Sequence, residues 1–443
     1  TGDVGGSFGF KIFLNPEQIC IAWAARTLGA MVRWQQNRSD CFLSDLHGRD
    51  NRSQARAAID HTGRVLALQV TVHANMGAWL SNFSTYVPTL SGCRTLTTIY
   101  DVQAASLRVI GVMTNTPAVD AYRGAGRPEA NYLMERLMDH IAVETGHSRL
   151  DVRRVNMIKA EQIPYQMVSG GTIDSGEIPQ LFEAAIKHSD VAGFSSRRAR
   201  SNLQNKLRGI GFGMYLEQCG GGTDDGVDIE FQDDGQIILY GSQQCNGQGH
   251  RTTVTQILSD RLGYDADLIF VHQGDSNRSP RGTTGGARMT AILGSATAKA
   301  AATIIDNATP LAADVLDCDA NGLVFSDGFF WLKGTNRSLA IEDLVRHFAR
   351  PGQKHLLDCA LSYETDGATY PYGCHVVEVE IDKGTCAVEI ARYSVMDDFG
   401  VVINPMTLAG QIHGGIAQGV GQALLENVVY DKSGQLLSGS FMD

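Results

Sequence analysis

Four glycine-rich segments constrain this chain most, because glycine supplies left-handed backbone and lets other groups approach the main chain closely. Glycine accounts for 49 of the 443 residues, well above its usual share. The segments span residues 4–11, 121–128, 245–250 and 282–288. The last two precede predicted helices over 251–262 and 289–307. A loop that enters a helix offers free N–H groups and a positive dipole end, so both loops suit an anion such as phosphate.

The usual nucleotide motifs do not explain these loops. The chain has no G-x-x-x-x-G-K-[ST] sequence, and the spaced glycines of residues 209–213 run into a predicted strand at 214–216, which is not the Rossmann context. Arg123 and Arg288 stand beside two of the glycine-rich segments and could hold a pyrophosphate. Simple turns are the alternative interpretation of the same segments.

A mixture of antiparallel hairpins and helices predicts an α+β fold with mixed sheets. Period-two patterns around turn residues predict hairpins over 57–72, 227–240 and 376–395. Helices are predicted over 128–144, from a Ser148 cap to 158, from a Ser175 cap to 187, and from an Asn404 cap to 427. The basic stretch 194–208 reads as a solvated helix in a connection. It predicts two domains, residues 1–200 and 201–443.

Composition excludes several classes of function. The net charge of −11 argues against a nucleic-acid binder, and no apolar run is long enough for a membrane-spanning helix. The nine scattered cysteines form no C-x-x-C pair, so neither a zinc ribbon nor an iron–sulfur cluster is expected within this chain. Reduced thiols fit a cytoplasmic protein. The chain starts without Met or a signal peptide, and we expect it to be an internal piece of a longer polypeptide.

The helix predicted from residue 405 carries five glycines, each of which costs about 1 kcal/mol relative to alanine. Something must therefore approach this helix closely, either a neighbouring element or a bound cofactor facing Gln411 and His413. The histidines show no metal-ligand spacing, so His250 and His413 read as hydrogen-bonded structural residues.

Together the segments resemble one family, the molybdenum-binding large subunits of the xanthine dehydrogenase/aldehyde oxidase family. The likeness is closest to the bacterial branch with the carbon monoxide dehydrogenase-like proteins. The matching motifs keep the family's order across nearly the whole chain. They are G-G-S-F-G at 5–9, A-Y-R-G-A-G-R-P-E-A at 121–130, G-Q-G-H at 247–250, T-G-G-A-R at 284–288 and G-Q-I-H-G-G-I-A-Q-G at 410–419.

The resemblance implies two mixed α/β domains with a molybdopterin cofactor between them, in bacteria usually as the cytosine dinucleotide. It implies that Phe8, Gly9 and Arg123 lie near the molybdenum centre. It also implies cofactor contacts along the remaining segments, from Gln248, Gly249, His250, Thr284, Gly286, Ala287, Arg288 and Gln411. No residue of the chain is expected to ligate the metal directly. In the family, water supplies the oxygen inserted at a C–H carbon of a small-molecule substrate. Electrons leave through [2Fe-2S] clusters and FAD, here expected on partner subunits in a dimer of heterotrimers.

Three departures from the family pattern bear on function. The family's catalytic Glu lies in a G-x-G-E segment, which we expect beyond Asp443. Gly124 follows Arg123 where the copper-containing carbon monoxide enzymes have Cys, and Ile12 follows Lys11 where purine-oxidising members have Glu. An aldehyde or an N-heteroaromatic compound remains as the expected substrate. The alternatives are a non-catalytic cofactor-binding homologue, a carbon monoxide dehydrogenase-like enzyme, or a phosphate- or dinucleotide-binding protein without molybdenum.

Overall fold

The chain forms two compact units, each assembled from separate stretches of sequence. The computed structural model describes residues 4–220, 224–280, 282–365 and 367–442. Unit 1 consists of Thr1–Ser7, Cys219–Ala368 and Val401–Leu424, and unit 2 of Phe8–Gln218, Thr369–Gly400 and Leu425–Asp443. The sequence-based division into residues 1–200 and 201–443 stays a prediction.

Groups of strands are interspersed with helices along the chain, as expected for an α+β protein. The strands are β1 Asn51–Ile59, β2 Val65–Gly77, β3 Ala105–Met113, β4 Tyr165–Gln166, β5 Thr172–Ile173, β6 Lys206–Leu216, β7 Asp224–Phe231, β8 Ile237–Gly241, β9 Ile269–Gln273, β10 Leu323–Ser326, β11 Phe329–Leu332, β12 Ser338–Ala340, β13 Cys359–Glu364, β14 Tyr372–Asp382 and β15 Val388–Asp398. The α-helices are α1 Pro16–Leu28, α2 Arg38–Ser44, α3 Gly92–Arg94, α4 Arg127–Thr145, α5 Arg149–Asn156, α6 Ile178–His188, α7 Phe194–Leu203, α8 His250–Leu262, α9 Ser295–Leu316, α10 Ile341–Phe348 and α11 Pro405–Leu424.

Unit 2 contains two three-stranded sheets. In one, β2 is central, antiparallel to β1 and parallel to β3. In the other, β14 is central between β15 and β6, and both pairs are antiparallel. Alternate residues of β2, including Val70 and Val72, are buried in a core with Met134 and Met138 of α4. The antiparallel pairs β1–β2 and β14–β15 confirm the hairpins that the period-two pattern predicts at 57–72 and 376–395.

Unit 1 is built on the four-stranded sheet β13-β7-β8-β9. The hairpin predicted at 227–240 is confirmed by the antiparallel pair β7–β8. Strands β8 and β9 are parallel and are connected through α8, so the loop at 245–250 follows the carboxyl end of a strand. Ligands of α/β sheets bind at such strand ends. The small residues of α9, among them Ala300 and Ala301, are fully buried in the core of this unit.

Some helix boundaries differ from the predictions. Ser148 accepts a hydrogen bond from the Asp151 N–H as predicted, but α5 ends at Asn156. Ser175 is not a cap, because α6 begins at Ile178 and is preceded by Glu177. The helix predicted over 289–307 begins as a π-helical turn, Thr290–Gly294, and continues as α9 to Leu316.

The two remaining predicted helices are present. Asn404 Oδ1 accepts the Thr407 N–H at 3.0 Å, which confirms the predicted cap of α11, although that helix ends at Leu424. The basic stretch forms α7, but it is not merely a solvated connection. Arg197 of α7 is paired with the buried Glu378 of β14 at 2.6 Å. Within the described residues, no helix is both long and apolar enough to cross a membrane.

Candidate functional site

The arginine loop, residues 121–126, lies against Phe8 and Gly9 within unit 2. The Arg123 N–H donates to the Phe8 carbonyl at 2.7 Å, and the Arg123 guanidinium lies 5.0 Å from the centre of the Phe8 ring. Gly9 has a φ of +107°, and a Cβ there would lie 2.7 Å from the Ala121 carbonyl oxygen. Only glycine fits this position. Three residues that the resemblance implies for one site are therefore together.

The far side of the arginine loop is anchored through Ser91. Its hydroxyl donates to the Ala125 carbonyl at 2.6 Å and accepts from Arg127 Nη1 at 2.6 Å. Arg127 is in turn paired with Glu217 at 2.6 Å. Ala125 itself has a φ of +43°, a strained value for a residue with a side chain. The loop is held in an unusual backbone shape by partners on both sides.

The amide loop, residues 245–250, leads into the N-terminus of α8 in unit 1. Burial raises the pKa of the Cys245 thiol, but hydrogen bonds from the backbone N–H groups of residues 247–250 outweigh it and hold the pKa below its ordinary value. Successive backbone N–H groups in a loop of this kind can form an anion-binding nest. Gly249 has a φ of +79° and precedes the first residue of the helix. The segment has the backbone geometry that suits an anion.

The predicted side chains of the amide loop have local partners. Gln248 Oε1 accepts the Asn246 N–H, which folds this side chain back onto its own loop. His250 is buried, and burial lowers its pKa to about 4. Its Nδ1 lies 3.4 Å from Gln273 Nε2. His250 is therefore a neutral histidine inside the unit, as its residue type and spacing suggested. Its implied contact with a cofactor stays a prediction.

The glycine–threonine loop, residues 282–288, is fastened to the segment before the amide loop. Thr284 Oγ1 accepts the Gln244 N–H at 2.6 Å and donates to the Gln244 carbonyl at 2.9 Å. The Gly220 N–H donates to the Gly286 carbonyl at 2.8 Å, and a side chain at Gly286 would overlap the Gly220 carbonyl. Ala287 also adopts a positive φ, +52°. Unit 1 thus brings two of the predicted segments together.

Arg288 is paired inside unit 1, and its implied contact with the cofactor stays a prediction. It is only 4% exposed, its guanidinium lies 3.2 Å from Asp225 Oδ2, and it donates to the Asp224 carbonyl at 2.9 Å. Asp225 Oδ2 also accepts from Gln243 Nε2. The positive charge is therefore balanced inside the protein. Asp225 was not predicted from the sequence, although the period-two pattern of β7 places residue 225 on the inward face with Val227.

Several polar atoms in this part of unit 1 are buried and have no hydrogen-bond partner among the described residues. They are Asp225 Oδ1, Ser242 Oγ, Gln243 Oε1, Gln273 Oε1 and Arg288 Nε. Buried polar atoms are normally satisfied, so this group calls for an explanation. Both donors and acceptors are present beside glycine-rich backbone. These groups fit a ligand such as molybdopterin, which carries donors and acceptors of its own.

The first turn of α11 also belongs to this region of unit 1. A Cβ at Gly249 would lie 3.1 Å from Thr407 Cγ2, and Asn404 Nδ2 donates to Gln256 Oε1 of α8 at 3.1 Å. Gln411 and His413 are exposed on α11. The helix therefore begins next to the amide loop, while the contacts implied for Gln411 stay a prediction.

Three of the five glycines of α11 do not serve close packing within the described parts of the chain. No described atom would lie within 4 Å of a Cβ at Gly410, Gly415 or Gly419. The interpretation that a neighbouring element of this chain requires these three glycines therefore finds no support. A ligand, or polypeptide outside the described residues, remains as the group that could approach the helix.

Comparison with known proteins agrees with these features. Two family models, both described as a molybdopterin cofactor-binding domain, match residues 1–157 and 184–443. Over its whole length, the chain is 30% identical to the gamma subunit of the 6-hydroxypseudooxynicotine dehydrogenase complex of Paenarthrobacter nicotinovorans. It is 31% identical to the carbon monoxide dehydrogenase large chain of Hydrogenophaga pseudoflava. It covers 57% and 58% of these two proteins, so it spans less than two thirds of their length.

Solved structures show the same fold. Quinoline 2-oxidoreductase from Pseudomonas putida 86 matches the whole chain with a TM-score of 0.92 and 30% identity, over 59% of its own chain. A Cu,Mo-CO dehydrogenase matches with a TM-score of 0.90 and 29% identity, over 58% of its own chain. These matches confirm the predicted fold class. The chain belongs to the xanthine dehydrogenase/aldehyde oxidase family, in which it corresponds to a molybdopterin-binding part of the large subunit.

Proposed function

We propose that this chain is part of the large subunit of a molybdenum hydroxylase that oxidises a C–H bond of an N-heteroaromatic compound or an aldehyde. The observation that carries the proposal is the cluster of unpartnered polar atoms beside the amide loop and the glycine–threonine loop. When bound, the cofactor supplies a molybdenum centre that accepts two electrons while oxygen derived from water enters the substrate. The cytosine dinucleotide form, the iron–sulfur and FAD subunits, their assembly as a dimer of heterotrimers, and a cytoplasmic location are parts of this proposal.

Residues of both units have defined tasks in this proposal. The backbone N–H groups of residues 247–250 bind the pyrophosphate, because they lie at the start of α8, where the helix dipole favours an anion. Because Asp225 neutralises Arg288, we assign Arg288 to shaping the glycine–threonine loop. The partial positive charges of the backbone N–H groups then attract the phosphate. In the arginine loop, the guanidinium of Arg123 is held over Phe8 and can orient a polar substituent of the substrate.

Gly124 argues against carbon monoxide oxidation, the alternative within the same family. Its φ is +93°, and a Cβ at this position would lie 2.5 Å from Pro128 Cγ. A cysteine at residue 124 would therefore clash with the first turn of α4 unless the loop changed shape. Relatives named for nitrogen heterocycles, such as nicotine 6-hydroxylase and quinoline 2-oxidoreductase, favour the N-heteroaromatic class.

Molybdenum content tests the proposal most directly. The complete native protein, purified with its partner subunits, should contain near-stoichiometric molybdenum by inductively coupled plasma mass spectrometry and release CMP on acid treatment. Absence of molybdenum from several independent preparations would overturn the proposal and leave a phosphate-binding protein. Molybdenum without turnover of quinoline, nicotine, aldehydes or carbon monoxide would favour the non-catalytic homologue. The coding sequence beyond Asp443 should also contain G-x-G-E if the protein is catalytic.

Ala125 offers a test of substrate size. It follows Gly124 in the arginine loop, and its small side chain leaves more room than an aromatic residue would. Ala125→Phe should raise KM for a bicyclic substrate while leaving molybdenum content unchanged. Steady-state kinetics per molybdenum atom measures this, and an unchanged KM would show that residue 125 does not face the substrate.

A further inference from the structure

The guanidinium of Arg49 lies beneath the arginine loop and holds two consecutive peptide carbonyls. Its Nη1 donates to the Tyr122 carbonyl at 2.8 Å, and its Nη2 donates to the Arg123 carbonyl at 2.7 Å. The same guanidinium lies 5.3 Å from the centre of the Tyr122 ring. An arginine fork is planar and rigid, so two donors on two successive carbonyls fix the backbone between them.

Arg49 is itself fixed by the short turn that carries it. Its φ is +69°, and a Cβ at the preceding Gly48 would lie 2.6 Å from Tyr122 Cβ, so this turn packs directly against the loop. On one side, the His47 carbonyl accepts the Asp120 N–H at 2.8 Å. On the other, Asn75 Nδ2 donates to Asp50 Oδ2 at 2.7 Å. The guanidinium therefore acts from a rigid base.

The surroundings of Arg49 partly offset the effect of burying its charge. Burial lowers its pKa, while the carboxylates of Glu129 and Glu426 and the phenol of Tyr122 act in the opposite direction. Arg127 is the nearby cation that adds to the effect of burial. Both carboxylate oxygens of Glu129 are buried and have no hydrogen-bond partner among the described residues. Glu129 and Glu426 thus oppose the effect of burial on the guanidinium that holds the two carbonyls.

The consequence of this contact reaches the side chain of Arg123. Its peptide N–H is bound to the Phe8 carbonyl and its own carbonyl to Arg49, so both ends of the residue are fixed. We propose that Arg49 is a positioning residue that sets the direction of the Arg123 guanidinium toward Phe8 and thereby orients the substrate. This role rests on the proposed function, because it assigns Arg123 to the substrate side of that site. The sequence alone shows only an arginine in a G-R-D turn.

The test compares Arg49→Lys and Arg49→Met with Arg56→Met in the complete complex. Lysine keeps the charge but lacks the fork, whereas Arg56 is an exposed arginine on the neighbouring strand β1. Amide hydrogen exchange, read by mass spectrometry on peptides spanning 119–126, reports the loop directly. Exchange in this segment should become at least about tenfold faster in both Arg49 variants and remain unchanged in Arg56→Met.

Kinetics per molybdenum atom separates positioning from simple structural support. Both Arg49 variants should lose about 10- to 100-fold in kcat while KM changes by less than about threefold, with molybdenum content retained. Unchanged amide exchange in residues 119–126 would overturn the inference. A variant that loses molybdenum but keeps its kcat per remaining molybdenum atom would overturn it as well. If the wild-type complex contains no molybdenum, the proposed function fails on its own measurement. The exchange experiment then still decides whether Arg49 holds the loop.

Discussion

Removing the carboxylate of Asp225 should destabilise unit 1 by about 3–5 kcal/mol, the usual cost of leaving one member of a buried ion pair unpaired. The side chain of Asp225 is 0% exposed and that of Arg288 is 4% exposed. Asp225→Ala would leave the guanidinium without its counter-charge and Gln243 Nε2 without its acceptor. For a unit of this size, such a loss lowers Tm by about 6–20 °C.

Differential scanning calorimetry and urea unfolding of the complete protein measure this change. Asp224→Ala is the matched control, because that side chain is exposed and Arg288 uses only the backbone carbonyl of Asp224. The control should change the free energy of unfolding by less than about 0.5 kcal/mol. The double variant Asp225→Ala/Arg288→Met removes both charges, so it should be more stable than Asp225→Ala alone.

Two results would refute this reasoning. A loss below about 1 kcal/mol in Asp225→Ala would show that the pair is solvated or that Arg288 finds another partner. The single variant Arg288→Met completes the comparison. A double variant that loses as much unfolding free energy as Asp225→Ala and Arg288→Met together would show that the two charges do not interact.

Two further predictions concern pH and backbone strain. The folded-state pKa of His250, about 4, lies below its ordinary value of 6.5, so His250 contributes stability above pH 6.5 that is lost as pH falls toward 4. His250→Gln should reduce the change in the free energy of unfolding between pH 7 and 4 by up to about 3 kcal/mol, as measured by urea unfolding. An unchanged pH profile would contradict the burial of His250. Gly126→Ala should cost at least about 2 kcal/mol, because φ is +92° and the new Cβ would lie 2.5 Å from the Val87 carbonyl oxygen. Gly146→Ala is the control for the effect of a positive φ without a clash, because φ is +74° and an added Cβ would have no atom within 4 Å. Thermal unfolding should show a smaller loss of stability for Gly146→Ala than for Gly126→Ala.

Local patterns predicted most of the elements, because periodicity, caps and turn residues act over a few residues. The alternation in 227–231 and the D-x-G turns predicted the hairpins, and Pro128 and Gly146 predicted the limits of α4 to within one residue. The prediction of Ser175 as the cap of α6 was wrong, because a serine shortly before a helix is too common to mark its start. Pro179, in the first turn, marks where α6 begins.

The sequence by itself also determined the family, since five ordered motifs across the chain carry far more information than any single glycine loop. It selected Phe8, Gly9 and Arg123 as one group, and the arginine loop brings them together. These motifs are visible because their residues are adjacent in the chain and use backbone shapes that few residues other than glycine adopt.

Only the tertiary structure decided which side chains support those loops. Arg49 and Arg123 are 74 residues apart, and Asp225 and Arg288 are far apart as well, so no local pattern pairs them. Whether a charge is available for a ligand or is used inside the protein depends on its partner and its burial, and both arise only on folding. Arg288 is neutralised and Arg123 is held over an exposed aromatic ring, although the sequence presents both as arginines beside glycine-rich loops.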